Sequence, residues 1–238
     1  MSLPDGPLVL ADPPLAIDPD EVLRFQGYKR DRDVPGADVR ALFDAALLEG
    51  RRLMVPRAVI RWTPVTRMSA DALEVEGQTL NIPRIGRLWG EIEHVAVALC
   101  TIGEALERRV AELWEARELP LASMLDSVGS GAVESLAEYV NDVLCQQGLP
   151  TLKITNRISP GYADWDVAEQ PRLFALCPGE RIGVTLNAAC VMTPGKSISL
   201  LAGAGPAAHV DDYFNQCARC WMRDCAYRRV PARATVHQ

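Results

Sequence analysis

The amino-acid sequence predicts an α+β fold, a twisted and mostly antiparallel sheet flanked by helices. Three observations lead there. Apolar residues recur at helical spacing over residues 38–50, 103–114 and 122–146. Between those stretches lie segments rich in β-branched residues, at 54–62 and 92–102. The stretch 73–82 holds two short β-prone runs, Leu73-Glu74-Val75 and Thr79-Leu80-Asn81-Ile82, on either side of Gly77, and reads as strands or a hairpin.

Taken in order, residues 1–20 carry Pro4, Pro7, Pro13, Pro14 and Pro19. That proline density disfavours helix and central strand alike and predicts an extended arm. From Asp38, the residues Val39, Leu42, Phe43, Ala46 and Leu47 share one helical face, and Gly50 follows the pattern as a stop. Pro56, Pro64 and Pro83 interrupt backbone donors, so the neighbouring strands are expected to be short or at an edge. Residues 92–102 read as a buried strand. Val95, Val97 and Leu99 occupy one face, and the small residues Ala96, Ala98 and Cys100 the other. Leu106, Val110, Leu113 and Trp114 then predict a helix over 103–114.

The longest helix is expected over Ala122 to Gln146, and it contains Gly129-Ser130-Gly131. Each helical glycine costs on the order of 1 kcal/mol relative to alanine, so a close contact should compensate, for which the small face of the 92–102 strand is a candidate. The run lacks the Lys-Ser/Thr ending of a phosphate loop. Neither Gly129/Gly131 nor Gly203/Gly205 forms the strand-loop-helix dinucleotide fingerprint.

Composition bounds the function. The chain has 238 residues, 48% of them hydrophobic, enough for a sizeable core. We divide it into the arm 1–20, a domain over 21–210 and a cysteine-rich tail over 211–238. A net charge of −6 argues against nucleic acid as the main partner. Arg51-Arg52, Arg108-Arg109 and Arg228-Arg229 are interleaved with acids and read as solvated surface. No signal peptide and no run of about 18 apolar residues is present, which predicts a cytoplasmic protein without membrane contact. Its seven cysteines are then expected to be reduced. Cys100 and Cys145 fall on apolar faces and are expected to be buried. Cys217, Cys220 and Cys225 form a C-x2-C-x4-C array. Such an array suits an iron-sulfur cluster or zinc, with Cys177, Cys190 or an external group as the fourth ligand, or it is a reduced trio without metal.

The stretch richest in chemical signals runs from Ile154 to Gly203. Arg157-Ile158-Ser159-Pro160-Gly161-Tyr162 places a planar, permanently charged fork ahead of a Pro-Gly turn and an aromatic. Ile182-Gly183-Val184-Thr185-Leu186 follows, and then the second turn Thr193-Pro194-Gly195-Lys196-Ser197-Ile198-Ser199. Two readings compete on these residues alone. One is a ligand cradle; the other is a pair of ordinary turns with Arg157 held by a structural acid. No Gly-x-Ser-x-Gly elbow or His-Glu-x-x-His occurs, and His94, His209 and His237 are scattered.

The ordered set RISPGYADW, an LF pair, IGVTL and MTPGKSIS resembles the S-adenosylmethionine-binding activation domain of cobalamin-dependent methionine synthase, in its free-standing form. Val22-Leu23-Arg24-Phe25-Gln26-Gly27-Tyr28 is similar to the opening of free-standing members, some of which carry similar cysteine tails. The resemblance implies an activation-domain-like fold and a cofactor site in which Arg157 holds the S-adenosylmethionine carboxylate. Ser159 and Gly161 would shape the loop, and Tyr162 would lie near the donor methyl. The family's second contact segment falls on Ala202 and Gly203, where the synthase has aromatics, so contact there would be through the backbone. Asp18, Asp20 or Asp31 would stand where the synthase supplies an aspartate.

The function so implied is reductive reactivation, the methylation of cob(II)alamin carried by a corrinoid protein or by a methionine synthase lacking its own activation domain. An electron donor is required, and a tail cluster could serve as one. No Asp-x-His-x-x-Gly motif is present, so the cobalamin would arrive on the partner. Two alternatives are a non-catalytic adaptor docking onto a corrinoid protein and an iron-sulfur electron carrier.

Overall fold

A computed structural model describes residues 3–29, 32–147, 151–162 and 164–210. The first strand, β1 (Leu8–Ala11), lies within the proline-rich arm and leads into α1 (Pro19–Phe25) and α2 (Ala37–Leu53). Then come β2 (Arg57–Pro64), β3 (Arg67–Met68), β4 (Ala72–Val75), β5 (Gln78–Asn81) and α3 (Ile85–Trp89). The middle of the chain forms β6 (His94–Thr101), α4 (Ala105–Glu115) and α5 (Leu119–Gln147). After β7 (Lys153–Ile154) and α6 (Gln170–Leu176), the strands β8 (Thr185–Leu186), β9 (Met192–Thr193) and β10 (Ser197–Gly205) complete the domain.

The main sheet has the order β1-β2-β6-β10-β7 and is antiparallel at every pairing. Strand β6 occupies its centre, paired with β2 from Arg57↔Thr101 to Pro64↔His94 and with β10 from Ser197↔Thr101 to Ala204↔His94. The alternation in its sequence divides the core as expected. Ala96, Ala98 and Cys100 face a helical layer with Phe43 of α2, Leu106 and Leu113 of α4, and Leu125, Val128 and Leu136 of α5. Val95, Val97 and Leu99 face a second core with Trp89, Trp165, Leu173 and the small sheet β3-β4-β5. The predicted hairpin is β4-β5, turning at Glu76 and Gly77, both at positive φ (46° and 76°). That pair of left-handed residues fits a two-residue turn whose twist matches the strands.

Several expectations are corrected. The arm is not merely extended, because β1 joins the main sheet beside β2. Pro19 does not block a helix. It occupies the first turn of α1, where its missing N–H is not needed, and Asp18 caps the helix by accepting the Asp20 N–H at 2.9 Å. Gly50 does not end α2 but is buried inside it, and a Cβ there would lie 3.0 Å from Val128 Cγ1. Strand β2 runs eight residues in the sheet interior, because Pro56 falls before it and Pro64 at its last position. Trp114 is 49% exposed although it falls on the predicted stripe of α4. Cys145 is exposed near the end of α5, and Cys100 is buried.

The helical glycines do bring close contacts, but not with the strand. A Cβ on Gly129 would lie 2.7 Å from Leu106 Cδ2 of α4, and one on Gly131 would lie 2.8 Å from Val22 Cγ2 of α1. They let two helices approach α5, while Ala132, Leu136 and Val140 share its core with Ala96 and Ala98. No helix among the described residues is long and apolar enough to cross a membrane.

Candidate functional site

The segment after β7 continues along β10 and is bound to it by side chain and backbone alternately. Thr155 N donates to Gly203 O at 2.9 Å, and Gly203 N donates to Thr155 Oγ1 at 2.8 Å. Two residues along β10, Ile158 and Leu201 exchange N–H···O bonds of 2.9 and 2.8 Å. Arg157 is therefore fixed at the sheet, between two points of attachment. Its Nη2 lies 3.1 Å from Glu134 Oε2 of α5, with the two side chains 18% and 21% exposed. Cys100 lies close by in the sheet. Burial pushes its thiol up to about 12; the Arg157 charge opposes that rise and Glu134 reinforces it.

Beyond Ile158 the chain makes a compact loop. Ser159 is buried, and its carbonyl accepts the Tyr162 N–H at 3.3 Å. Gly161 takes φ +87°, a conformation that resists a side chain, and its N–H reaches Trp165 O at 2.8 Å. Tyr162 is 53% exposed at the loop's outer edge. The small sheet holds the far side of this loop. Arg84 pairs with Asp164, and the Glu169 carboxylate accepts Asn81 N at 2.8 Å, Asn81 Nδ2 at 3.1 Å and Arg172 Nε at 3.2 Å.

The second Pro-Gly turn is a structural joint. Its Thr193-Pro194 bond is cis. Glu107 of α4 accepts the Gly195 N–H at 3.0 Å and also the Lys196 N–H. Lys196 Nζ contacts Asp126 Oδ1 and Ser130 Oγ, both at 2.8 Å. Gly195 does not use positive φ. Its lack of a side chain leaves room for Glu107, whose Oε1 would lie 3.1 Å from a Cβ.

These two motifs, far apart in sequence, meet the same row of α5. Asp126, Ser130 and Glu134 are spaced i, i+4, i+8 and so share one helix face. Lys196 takes the first two and Arg157 the third. Sequence reasoning missed Glu134, Glu107 and this row. The available signal was the i, i+4, i+8 spacing of Asp126, Ser130 and Glu134 on one face of the helix.

Among the residues expected at the site, Arg157, Ser159, Gly161 and Tyr162 lie on one continuous loop. Ala202 and Gly203 lie in β10, beside the start of that loop. Ala202 pairs with Ala96 in the ladder, and Gly203 has both backbone groups engaged with Thr155. A Cβ on Gly203 would lie 2.9 Å from Trp89 Cε3, so its bareness serves packing of α3 on the sheet. Asp18 caps α1, and Asp20 occupies its first turn. Asp31 lies outside the described residues, as do Cys217, Cys220 and Cys225. Cys177, a candidate fourth ligand, is instead a core residue. Its buried Sγ donates to Val59 O at 3.7 Å, and burial pushes its thiol up to about 12. No metal-ligating cluster of three or more groups occurs among the described residues. An open cleft of about 370 Å³ lies apart from Arg157, between Arg61, Pro7 and the Phe174–Pro178 segment.

No protein-family model matches the chain, and no curated protein matches it in sequence. A solved structure is similar in fold: the crystal structure of the MetH reactivation domain bound to AdoHcy. The similarity has a TM-score of 0.62 over 89% of this chain and 81% of that one, at 16% identity. An antiparallel sheet flanked by helices is therefore the architecture that this chain shares with that reactivation domain.

Proposed function

We propose that this chain binds S-adenosylmethionine and serves the reductive reactivation of a cobalamin carried by another protein. The partner would be a corrinoid protein or a methionine synthase without its own activation domain. The observation that carries this reading is the fold shared with a reactivation domain crystallised with AdoHcy, together with the Arg157–Tyr162 loop lying along β10.

The Arg157–Glu134 pair suits the amino acid head of such a ligand. That head is a zwitterion, and Arg157 and Glu134 offer a cation and an anion side by side, each partly reachable from solvent. Arg157 would hold the carboxylate. Ser159 and Gly161 set the course of the loop, and the exposed Tyr162 would line the face presented to the partner. Ala202 contributes ladder bonds and Gly203 a fixed strand, both supporting the loop from behind. When bound, the sulfonium supplies a methyl group to a cobalt that has gained one electron from an outside donor. The chain's own contribution is positioning, which needs no acid-base pair. The tail cysteines Cys217, Cys220 and Cys225 would hold zinc or an iron-sulfur cluster, the latter serving as an electron source.

A second reading is the non-catalytic adaptor, and one observation favours it: Arg157 is already engaged by an acid within the fold. Isothermal titration with S-adenosylmethionine separates the two. Saturable heat that Arg157→Ala abolishes in a folded variant supports the first. No heat from the wild-type chain at millimolar ligand, with binding to a corrinoid protein retained, supports the adaptor.

A further inference from the structure

Strand β1 closes the main sheet on one side, and its outer edge is open among the described residues. The register Leu8↔Ile60, Val9↔Val59, Leu10↔Ala58, Ala11↔Arg57, with Asp12 N donating to Pro56 O at 3.0 Å, fixes which groups face which way. In an antiparallel ladder, hydrogen-bonded and non-bonded pairs alternate. Residues 8, 10 and 12 therefore turn their backbone toward β2. Val9 and Ala11 turn their N–H and C=O outward, and none of those four groups meets a backbone partner among the described residues. Leu10 packs into the helical core, whereas Val9 is 40% exposed.

Exposed edges are usually guarded by an internal lysine, proline or bulge. The segment Leu8-Val9-Leu10-Ala11 has none of these and is guarded only by its four-residue length after Pro7. Asp5 and Asp12 are exposed at its two ends, and Glu180 is exposed on the rim of the cleft that begins at Pro7, while the exposed cations nearby are Arg57, opposite Ala11 in the ladder, and Arg181 next to Glu180. The positive group in that cleft, Arg61, is neutralised by Glu76 at 2.8 Å. A second copy of β1 laid antiparallel would bring Asp5 of one chain toward Asp12 of the other, and like charges oppose that pairing.

We propose that β1 is a docking edge for an extended segment of a partner protein, apolar at alternate positions and flanked by basic residues. The segment would add a sixth strand, bonding through Val9 and Ala11, with its basic ends against Asp5, Asp12 and Glu180.

Fluorescence anisotropy with the labelled hexapeptide Arg-Val-Thr-Val-Thr-Arg tests this on the full chain. Binding is expected to weaken at least about tenfold for Val9→Pro, which removes an outward N–H at an edge position where proline is tolerated. It should weaken by a similar factor when the peptide's central valine is N-methylated, a probe that leaves the protein unaltered. Asp5→Asn with Asp12→Asn should flatten the salt dependence, and a Glu-flanked peptide should bind several-fold more weakly. The proposal is overturned if the Arg-flanked peptide does not bind at millimolar concentration, or binds no better than the Glu-flanked one. It is also overturned if N-methylation has no effect, or if sedimentation shows a dimer that Val9→Pro dissolves.

Discussion

Replacing Arg157 by methionine keeps the apolar stem and deletes the charge, which separates the structural and ligand-binding roles of the Arg157–Glu134 pair. At 3.1 Å and an effective dielectric of about 20, the gross attraction is about 5 kcal/mol. Both side chains are about one-fifth exposed, so desolvation of the two charges cancels most of it, leaving a net value of about 1–2 kcal/mol. For a domain of this size that lowers Tm by roughly 2–8 °C. Part of the loss comes from the Glu134 charge losing the Arg157 counter-charge, so adding Glu134→Gln should return the double variant toward the wild-type Tm. Affinity for S-adenosylmethionine should behave differently. Losing a charge-assisted bond to the ligand carboxylate costs roughly 10- to 150-fold in Kd, in the double variant at least as much as in the single. Thermal denaturation and titration calorimetry on the four proteins of this cycle read both quantities. Recovery of ligand affinity together with Tm in the double variant would refute the assignment, because Arg157 would then matter only as the partner of Glu134.

Gly129→Leu should destabilise the chain by at least about 2 kcal/mol in urea denaturation, since Leu106 stands 2.7 Å from the added Cβ and is itself fully buried. Glu107→Ala leaves the Gly195 and Lys196 N–H groups without their carboxylate; local hydrogen exchange at 195–197 should rise while the core of β6 keeps its protection. Cys100 and Cys177 have folded thiols raised to about 12 by burial, above the ordinary value near 9. Their contribution to stability is complete below about pH 9 and declines as pH rises toward 12, by about 1.4 kcal/mol per unit for each thiol, because the unfolded thiols ionise first. Denaturation curves between pH 8 and 11 should show this loss, and Cys100→Ala should reduce its slope. For the tail, anaerobic preparation should yield bound zinc or an iron-sulfur absorbance that substitution of Cys217, Cys220 and Cys225 removes. Absence of iron, zinc and any charge-transfer band in the wild-type chain eliminates the metal.

Local periodicity and residue type determined the two faces of β6, the stripe of α5, the two short strands on either side of Gly77 and the existence of a charged Pro-Gly-Tyr loop. Each of these depends on neighbours a few residues apart, where a period of 2 or 3.6 translates directly into a face. Tertiary structure decided everything that joins distant segments. It made Pro19 a helix start and the proline-rich arm a sheet edge, and it buried Gly50 and both glycines of α5 against other helices. It also set Arg157 and Lys196 on one row of α5, with Glu134 beside the guanidinium. Such pairings are set by which helix lies over which strand, and that is governed by burial of the whole core rather than by the residues that meet.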